Sequence, residues 1–546
     1  MIERVVEHWL TNVNERQYQF PFCHVLLSRG FRLLHISSHG PQEQGKDIIA
    51  LDADDQPIAF QLKTGNIDLA TLRKIHGELV ELVEVPIQFP GLPPASHHRS
   101  VLVTNGMLND TARQSLDGFI RGWERRGFPP MRVEPRDSLL RDFVDLHGRY
   151  LPAQLSDVEQ LLRFYTCDGS GPLPRGQFAE FVLRNIPLGE LPKRFVPRQS
   201  RRTIKRVKTP TKEVARHLAS TALLTSYALY PFTVKKNHWA EFEGWVIFSA
   251  HVLAVAERLE LPDAAWVSTY EISFLAARTA LAELVSEATK REQWLEGDVI
   301  VDSQVYRARM TIVIGLMALY SILCRLRREE NVFESDIYTF IKQHLTELHV
   351  WGETASPYLV LLALCLEQRG EANTGEAILG GLLSGLLQRN KPRSETDPDI
   401  ALSDPYLEVS DALAWNSGIR RGPAWERQSY DGQAYGLRAV VMLLARRLRR
   451  QLLASNWYGI TDVSFIEMYP AETWGMLLWR FPIGDLRITL SERPQSWVKL
   501  LEAARNIKTD DIPAQLRARP DFLAALITVF PHRLRADTLK VIEDAV

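Results

Sequence analysis

Residues 46–64 read KDIIALDADDQPIAFQLKT, and the architecture of the N-terminal region turns on whether this stretch opens a helix or folds back as two strands. Residues 46–52 and 57–64 are short runs rich in Ile, Leu and Phe, and Ala53-Asp54-Asp55-Gln56 between them is a turn-forming tetrapeptide. The stretch therefore predicts a β-hairpin. A competing parse begins at Gly40, where Gly-x4-Gly-Lys ends on Lys46 and imitates a phosphate-binding loop. That motif needs a Ser or Thr after the Lys and a helix whose first amides converge on the anion. Here Asp47 and the apolar run IIALD follow instead, so the second parse fails on both requirements.

Outward from the hairpin, helical and strand signals alternate. A helical opening over residues 2–10 and a second helical stretch around Pro21–Ser28 end at Gly30, and FRLLHIS (31–37) reads as a strand. After the hairpin, Leu69, Leu72, Ile75, Leu79 and Leu82 recur at three- and four-residue spacing, which predicts an amphipathic helix over 68–84. A buried strand (99–105), a helix (108–126) and a short strand at Met131–Val133 follow. The order predicts an α/β domain over residues 1–150, a central mixed sheet flanked by helices. Beyond it, helical patterns cover 155–165, 174–185, 211–229, 237–260, 264–290, 304–328, 334–349, 356–369, 373–389 and 428–455 without a fixed repeat. The expectation is a helical connector with a basic linker over 151–212, then a large all-α region over 213–546, an irregular bundle or solenoid.

Composition bounds the rest. At 546 residues and 45 % hydrophobic, the chain is expected to hold two to four domains. A net charge of −1 gives no bulk attraction to nucleic acid or membranes, so any polyanion site must be local. Cys23, Cys167, Cys324 and Cys365 show neither CxxC nor metal-ligand spacing and read as small buried hydrophobes in a reducing compartment. MIERVVEHWL lacks the features of a signal peptide, and Met310–Cys324 is shorter than the ~20 residues of a membrane span. A cytoplasmic protein with a core helix there is expected.

The hairpin carries the chemistry. Side chains alternate along a strand, so Gln61 and Lys63 share a face while Phe60 and Leu62 point into an apolar layer. Asp47, at the start of the paired strand, comes beside Gln61. A carboxylate and an amide carbonyl on adjacent strands suit a divalent cation, and a Lys two residues on suits an attacking water or a developing negative charge. Singly, each residue is more often a turn or edge residue; together they form a specific constellation.

This arrangement resembles the Mrr-like branch of the PD-(D/E)XK nuclease superfamily. The matching residues are Gly45-Lys46-Asp47-Ile48-Ile49-Ala50 and Phe60-Gln61-Leu62-Lys63-Thr64, preceded by Leu26-Leu27-Ser28-Arg29-Gly30-Phe31 and followed by Leu102-Val103-Thr104-Asn105-Gly106. The resemblance covers only about the first 150 residues. It implies a restriction-endonuclease-like fold and Mg2+- or Mn2+-dependent DNA cleavage, with Asp47, Gln61 and Lys63 as active-site residues. Many relatives add a Glu from the first helix, but here that turn reads Gln17-Tyr18-Gln19-Phe20-Pro21. Glu15 and Glu43 are the candidate substitutes, and Glu43 is preferred as a catalytic residue and second metal ligand.

Other features weigh less. His97-His98-Arg99 suits a loop contact to phosphate better than a metal. Arg198, Arg201, Arg202, Lys205, Arg206 and Lys208 belong to a Pro-containing stretch (193–212) without acidic residues, expected to contact nucleic acid through phosphates. Arg446, Arg447, Arg449 and Arg450 are expected to pair with acidic neighbours instead. The leading expectation is a DNA endonuclease acting in restriction or anti-phage defence, regulated or partnered through its helical region. The alternative is a catalytically inactive nuclease fold that binds DNA or acts as a scaffold, and RNA is a third substrate reading.

Overall fold

The computed structural model describes residues 2–37, 45–89, 92, 97–147, 155–186, 211–290, 303–390, 409, 433–480, 486–491 and 494–546. Glu43 and the basic residues Arg198, Arg201, Arg202, Lys205, Arg206 and Lys208 lie outside the described residues. The chain divides into two compact units, Met1–Thr279 and Ala280–Val546.

In the first unit, α1 (Ile2–Asn12) and α2 (Glu15–Ser28) precede β1 (Arg32–Ile36), β2 (Ile48–Leu51) and β3 (Pro57–Lys63). Then come α3 (Leu69–Glu84), β4 (Arg99–Thr104), α4 (Asp110–Arg125), β5 (Arg132–Glu134) and α5 (Arg136–His147). The five strands form one sheet in the order β1-β2-β3-β4-β5. Pairing is antiparallel from β1 through β3 and parallel from β3 through β5. The α/β layout and the hairpin are as the sequence predicts. Asp52 organises the turn, its Oδ1 accepting from the Asp54 and Gln56 amides.

One expectation shifts in α2. The helix starts at Glu15 and carries Pro21 inside it, because Asn14 and Gln17 form a reciprocal capping box that nucleates the helix two turns earlier. Both faces of the sheet are covered by helices, as expected. Ile49, Ala59 and Leu102 pack under Leu72, Ile75, Leu79 and Leu82 of α3 and Leu116 and Trp123 of α4. On the opposite face Phe60 meets Phe22 of α2 edge-on at 5.6 Å. The Gln61 and Lys63 face is therefore the side roofed by α3.

The unit continues with α6 (Leu155–Tyr165), α7 (Arg175–Asn185), α8 (Thr211–Val234) and α9 (His238–Leu259), and the division at Thr279 falls within α10 (Val267–Lys290). Helix α8 packs on α2, and its Tyr227 stacks edge-on against Trp9 of α1 at 5.0 Å.

The second unit is mostly helical. It contains α11 (Ser303–Arg327), α12 (Glu334–His344), α13 (Ser356–Gln368), α14 (Ala372–Arg389) and, further on, α15 (Leu437–Arg446) and α16 (Arg450–Ser455). Helix α11 holds a segment long and apolar enough to cross a membrane, yet Met310, Ile314, Leu316, Met317 and Leu319 are buried within the unit. The all-α expectation needs correction, since β6 (Gln433–Ala434), β7 (Ser464–Pro470) and β8 (Leu486–Ser491) form a three-stranded sheet. Leu486, Ile488 and Leu490 alternate with polar residues, the period of a strand. The helix expected over 428–455 is also broken, because Leu448 adopts a left-handed φ of 57° between α15 and α16. Three of its four arginines pair as expected: Arg446 with Glu543, Arg447 with Glu367 and Glu543, Arg449 with Glu376. Three cysteines are buried, but Cys167 is exposed, which corrects the reading of all four as core residues.

Candidate active site

Asp47 stands where the chain enters β2. Its amide donates to the Phe60 carbonyl (2.9 Å) and its carbonyl accepts from the Ser37 amide (2.8 Å), so its backbone bridges β1 and β3. With Ile48 opposite Phe60 and Ile49 opposite Ala59, the next position of the ladder sets Asp47 opposite Gln61. The Asp47 side chain extends the ladder itself, its Oδ2 taking the Leu62 amide at 2.6 Å. Asp47 and Gln61 thus occupy facing positions of the two strands.

Gln61 is only 4 % exposed. Its Nε2 donates to Oε2 of Glu78 on α3 at 3.4 Å, while its buried Oε1 has no hydrogen-bond partner among the described residues. Lys63 lies on the same face, its Nζ 2.7 Å from the same Glu78 Oε2 and 3.8 Å from Glu15 Oε2. Burial pulls the Lys63 ammonium down, but the Glu78 hydrogen bond and the charges of Glu15, Glu78 and Asp47 hold it above its ordinary value. It is a protonated amine among three carboxylates.

Helix α2 supplies the frame beneath. Gln19 Nε2 donates to the carbonyls of Ser37 (3.1 Å) and Asp47 (3.4 Å), and Tyr18 Oη donates to that of Lys63 (2.9 Å). Glu15 accepts the Thr64 amide at 3.1 Å, which ties the first turn of α2 to the end of β3. Of the two proposed substitutes for a first-helix carboxylate, Glu15 therefore stands beside Lys63. Sequence reasoning passed over Gln19, Tyr18 and Glu78. Glu78 carried a weak signal, for it borders the buried stripe Ile75, Leu79 and Leu82 of α3.

Three other residues have structural employment. Lys46 is buried, its Nζ donating to the Glu81 carbonyl at 3.0 Å, and burial lowers its pKa to about 8 against the pull of Glu81. A strand and not a helix follows it, in keeping with rejection of the phosphate-loop parse. His98 is buried, with Nε2 2.6 Å from the Leu82 carbonyl, and Arg99 pairs with Asp52, while His97 is exposed.

Among the described residues, no three His, Cys, Asp or Glu side chains form a ready-made metal cage. Mg2+ commonly uses one or two carboxylates, with waters and substrate phosphate completing its shell. The donor set fits that pattern: a carboxylate opposite a buried amide oxygen that lacks a protein donor. Compared with protein-family models, curated proteins and solved structures, the chain matches none.

Proposed function

We propose that the N-terminal unit is a metal-dependent DNA endonuclease of the Mrr-like kind, hydrolysing phosphodiester bonds. The observation that carries this reading is the orphaned Gln61 Oε1, buried opposite Asp47 and on the face of Lys63. A buried acceptor without a donor costs about 1–3 kcal/mol, and a cation-binding role accounts for keeping it. Asp47 and Gln61 would hold Mg2+ or Mn2+, with Glu43 the proposed further carboxylate. A cation there supplies polarisation of the phosphate and a more acidic bound water. Lys63 orients the water or stabilises the charge developing on phosphate. Tyr18 and Gln19 keep the strand ends in register through backbone carbonyls. Arg198, Arg201, Arg202, Lys205, Arg206 and Lys208 would add sequence-independent phosphate contacts. In this proposal the helical region regulates the nuclease or recognises a partner in a cytoplasmic restriction or anti-phage effector.

The alternative, an inactive nuclease fold that binds DNA, draws on the Glu78 carboxylate already resting on Lys63. The test is supercoiled plasmid with Mg2+ or Mn2+, alongside Asp47→Ala and Lys63→Ala. Metal-dependent nicking lost in both variants supports the enzyme, and equal cleavage by all three refutes it. A salt-sensitive DNA shift without cleavage, weakened when Arg201 and Arg202 are neutralised, supports the alternative.

A further inference from the structure

The two polar side chains at the end of β3 are held by a single atom. Glu78 Oε2 accepts from Gln61 Nε2 at 3.4 Å and from Lys63 Nζ at 2.7 Å. We propose that Glu78 is the positioning residue of this site, turning the Gln61 amide so that its oxygen serves a divalent cation while fixing the Lys63 ammonium beside it. The inference rests on the nuclease reading above.

The argument begins with the amide. A side-chain amide has a donor end and an acceptor end, whereas a carboxylate can only accept. Facing Glu78, the amide must present Nε2; a flip would set Oε1 against a carboxylate oxygen, and two acceptors repel. Orientation at the Glu78 end therefore decides what the other end offers. What it offers is Oε1, buried and without a donor. Glu78 thus explains why the amide keeps this orientation: a flip would break a charge-assisted hydrogen bond and make a repulsive contact.

The carboxylate is also held at a fixed distance. Its helix is capped by Asp68, which accepts the Thr71 amide at 2.7 Å, and anchored by Leu72, Leu79 and Leu82 in the core. On the other side, Gly45 approaches so closely that a Cβ there would lie 2.6 Å from the Glu78 carbonyl. The turn of α3 that carries Glu78 is thereby keyed to the segment leading into Asp47. The side chain itself is 46 % exposed, so it can be replaced without opening the core. Second-layer partners that orient a metal ligand typically change metal affinity 10- to 100-fold when removed.

The test uses the full chain and Mn2+ alone, read by electron paramagnetic resonance of the free ion, with Asp47→Ala defining the specific site and thermal melting confirming that each variant is folded. Glu78→Ala is expected to weaken Asp47-dependent Mn2+ binding roughly tenfold or more. Glu78→Gln keeps an oxygen that accepts from Gln61 Nε2, so it is expected to retain affinity within about threefold of wild type, a rescue that loss of packing would not produce. Unchanged affinity in Glu78→Ala, an equal fall in both variants, or no Asp47-dependent Mn2+ would each overturn the inference. Plasmid cleavage is scored separately. A wild type that binds Mn2+ through Asp47 and leaves DNA intact refutes the nuclease reading while the role of Glu78 stands; a cleaving wild type with unaltered Glu78→Ala affinity refutes the role alone.

Discussion

Asp47 serves the fold as well as the proposed chemistry, and replacing it in two ways separates the functions. Its Oδ2 accepts the Leu62 amide at 2.6 Å, in the place where the ladder between β2 and β3 has no backbone carbonyl to offer. Leu62 is 1 % exposed, so truncation in Asp47→Ala leaves a buried N–H without an acceptor, at a cost of about 1–3 kcal/mol. The damage stays local, because the Asp47 amide and carbonyl keep their bonds to Phe60 and Ser37. Asp47→Asn retains an acceptor oxygen and gives up the charge, a loss of about 1 kcal/mol between a charge-assisted and a neutral bond. Hydrogen exchange at the Leu62 amide reads this directly. Asp47→Ala should accelerate it by roughly 5- to 150-fold, and Asp47→Asn by roughly fivefold. Both variants should lose plasmid nicking, since neither supplies an anionic ligand. Unchanged Leu62 protection in Asp47→Ala would refute the structural half of the reasoning. Wild-type nicking by Asp47→Asn would refute the chemical half.

Other expectations follow from buried groups and close approaches. Glu353 is fully buried, accepts from the amides of Tyr435, Gly436 and Leu437 and from Asn390 Nδ2, and burial pushes its pKa from 4.5 up to about 7 against those donors. The folded state therefore binds its proton more tightly, so stability should fall as pH rises from 4.5 to 7, by about 3 kcal/mol; melting of wild type against Glu353→Gln across that range checks it, with the slope reduced in the variant. His24 runs the other way, being fully buried with neither ring nitrogen hydrogen-bonded among the described residues and its pKa lowered by burial to about 3. Stability present above pH 6.5 is lost as pH falls toward 3, and His24→Leu should lessen that loss in urea titrations at pH 7 and 4.5. At Gly106 a Cβ would lie 2.1 Å from the Gly65 carbonyl group. Both partners are backbone, so Gly106→Ala should cost about 3 kcal/mol or more and lower the melting temperature.

How far the sequence could be read follows from which contacts are local. The hairpin was legible because its turn and both apolar runs lie within 19 residues, and because alternation alone assigns faces to Gln61 and Lys63. The hydrogen bonds of Gln19 to the Asp47 carbonyl and of Glu78 to Gln61 span 28 and 17 residues. They exist only once α2 and α3 have packed on opposite faces of the sheet, and no periodicity announces them. The β7–β8 pair escaped for a related reason: β8 alternates as a strand should, but its pairing with β7 is a contact between separate segments that no local pattern announces.

The sheet topology explains why the legible part and the hidden part meet at one point. Strand β3 is antiparallel to β2 and parallel to β4. Antiparallel pairing brings the beginning of β2 beside the end of β3, which is how Asp47 comes to face Gln61 and approach Lys63. Parallel pairing carries the chain leaving β3 up over the sheet into α3, so that the helix returns above the same strand and lowers Glu78 onto the two side chains. A carboxylate preceding a strand and another on the following helix converge on β3 because its two edges pair in opposite senses. Had β3 been antiparallel on both sides, a short hairpin would have served as its exit and no crossover helix would roof the Gln61 face.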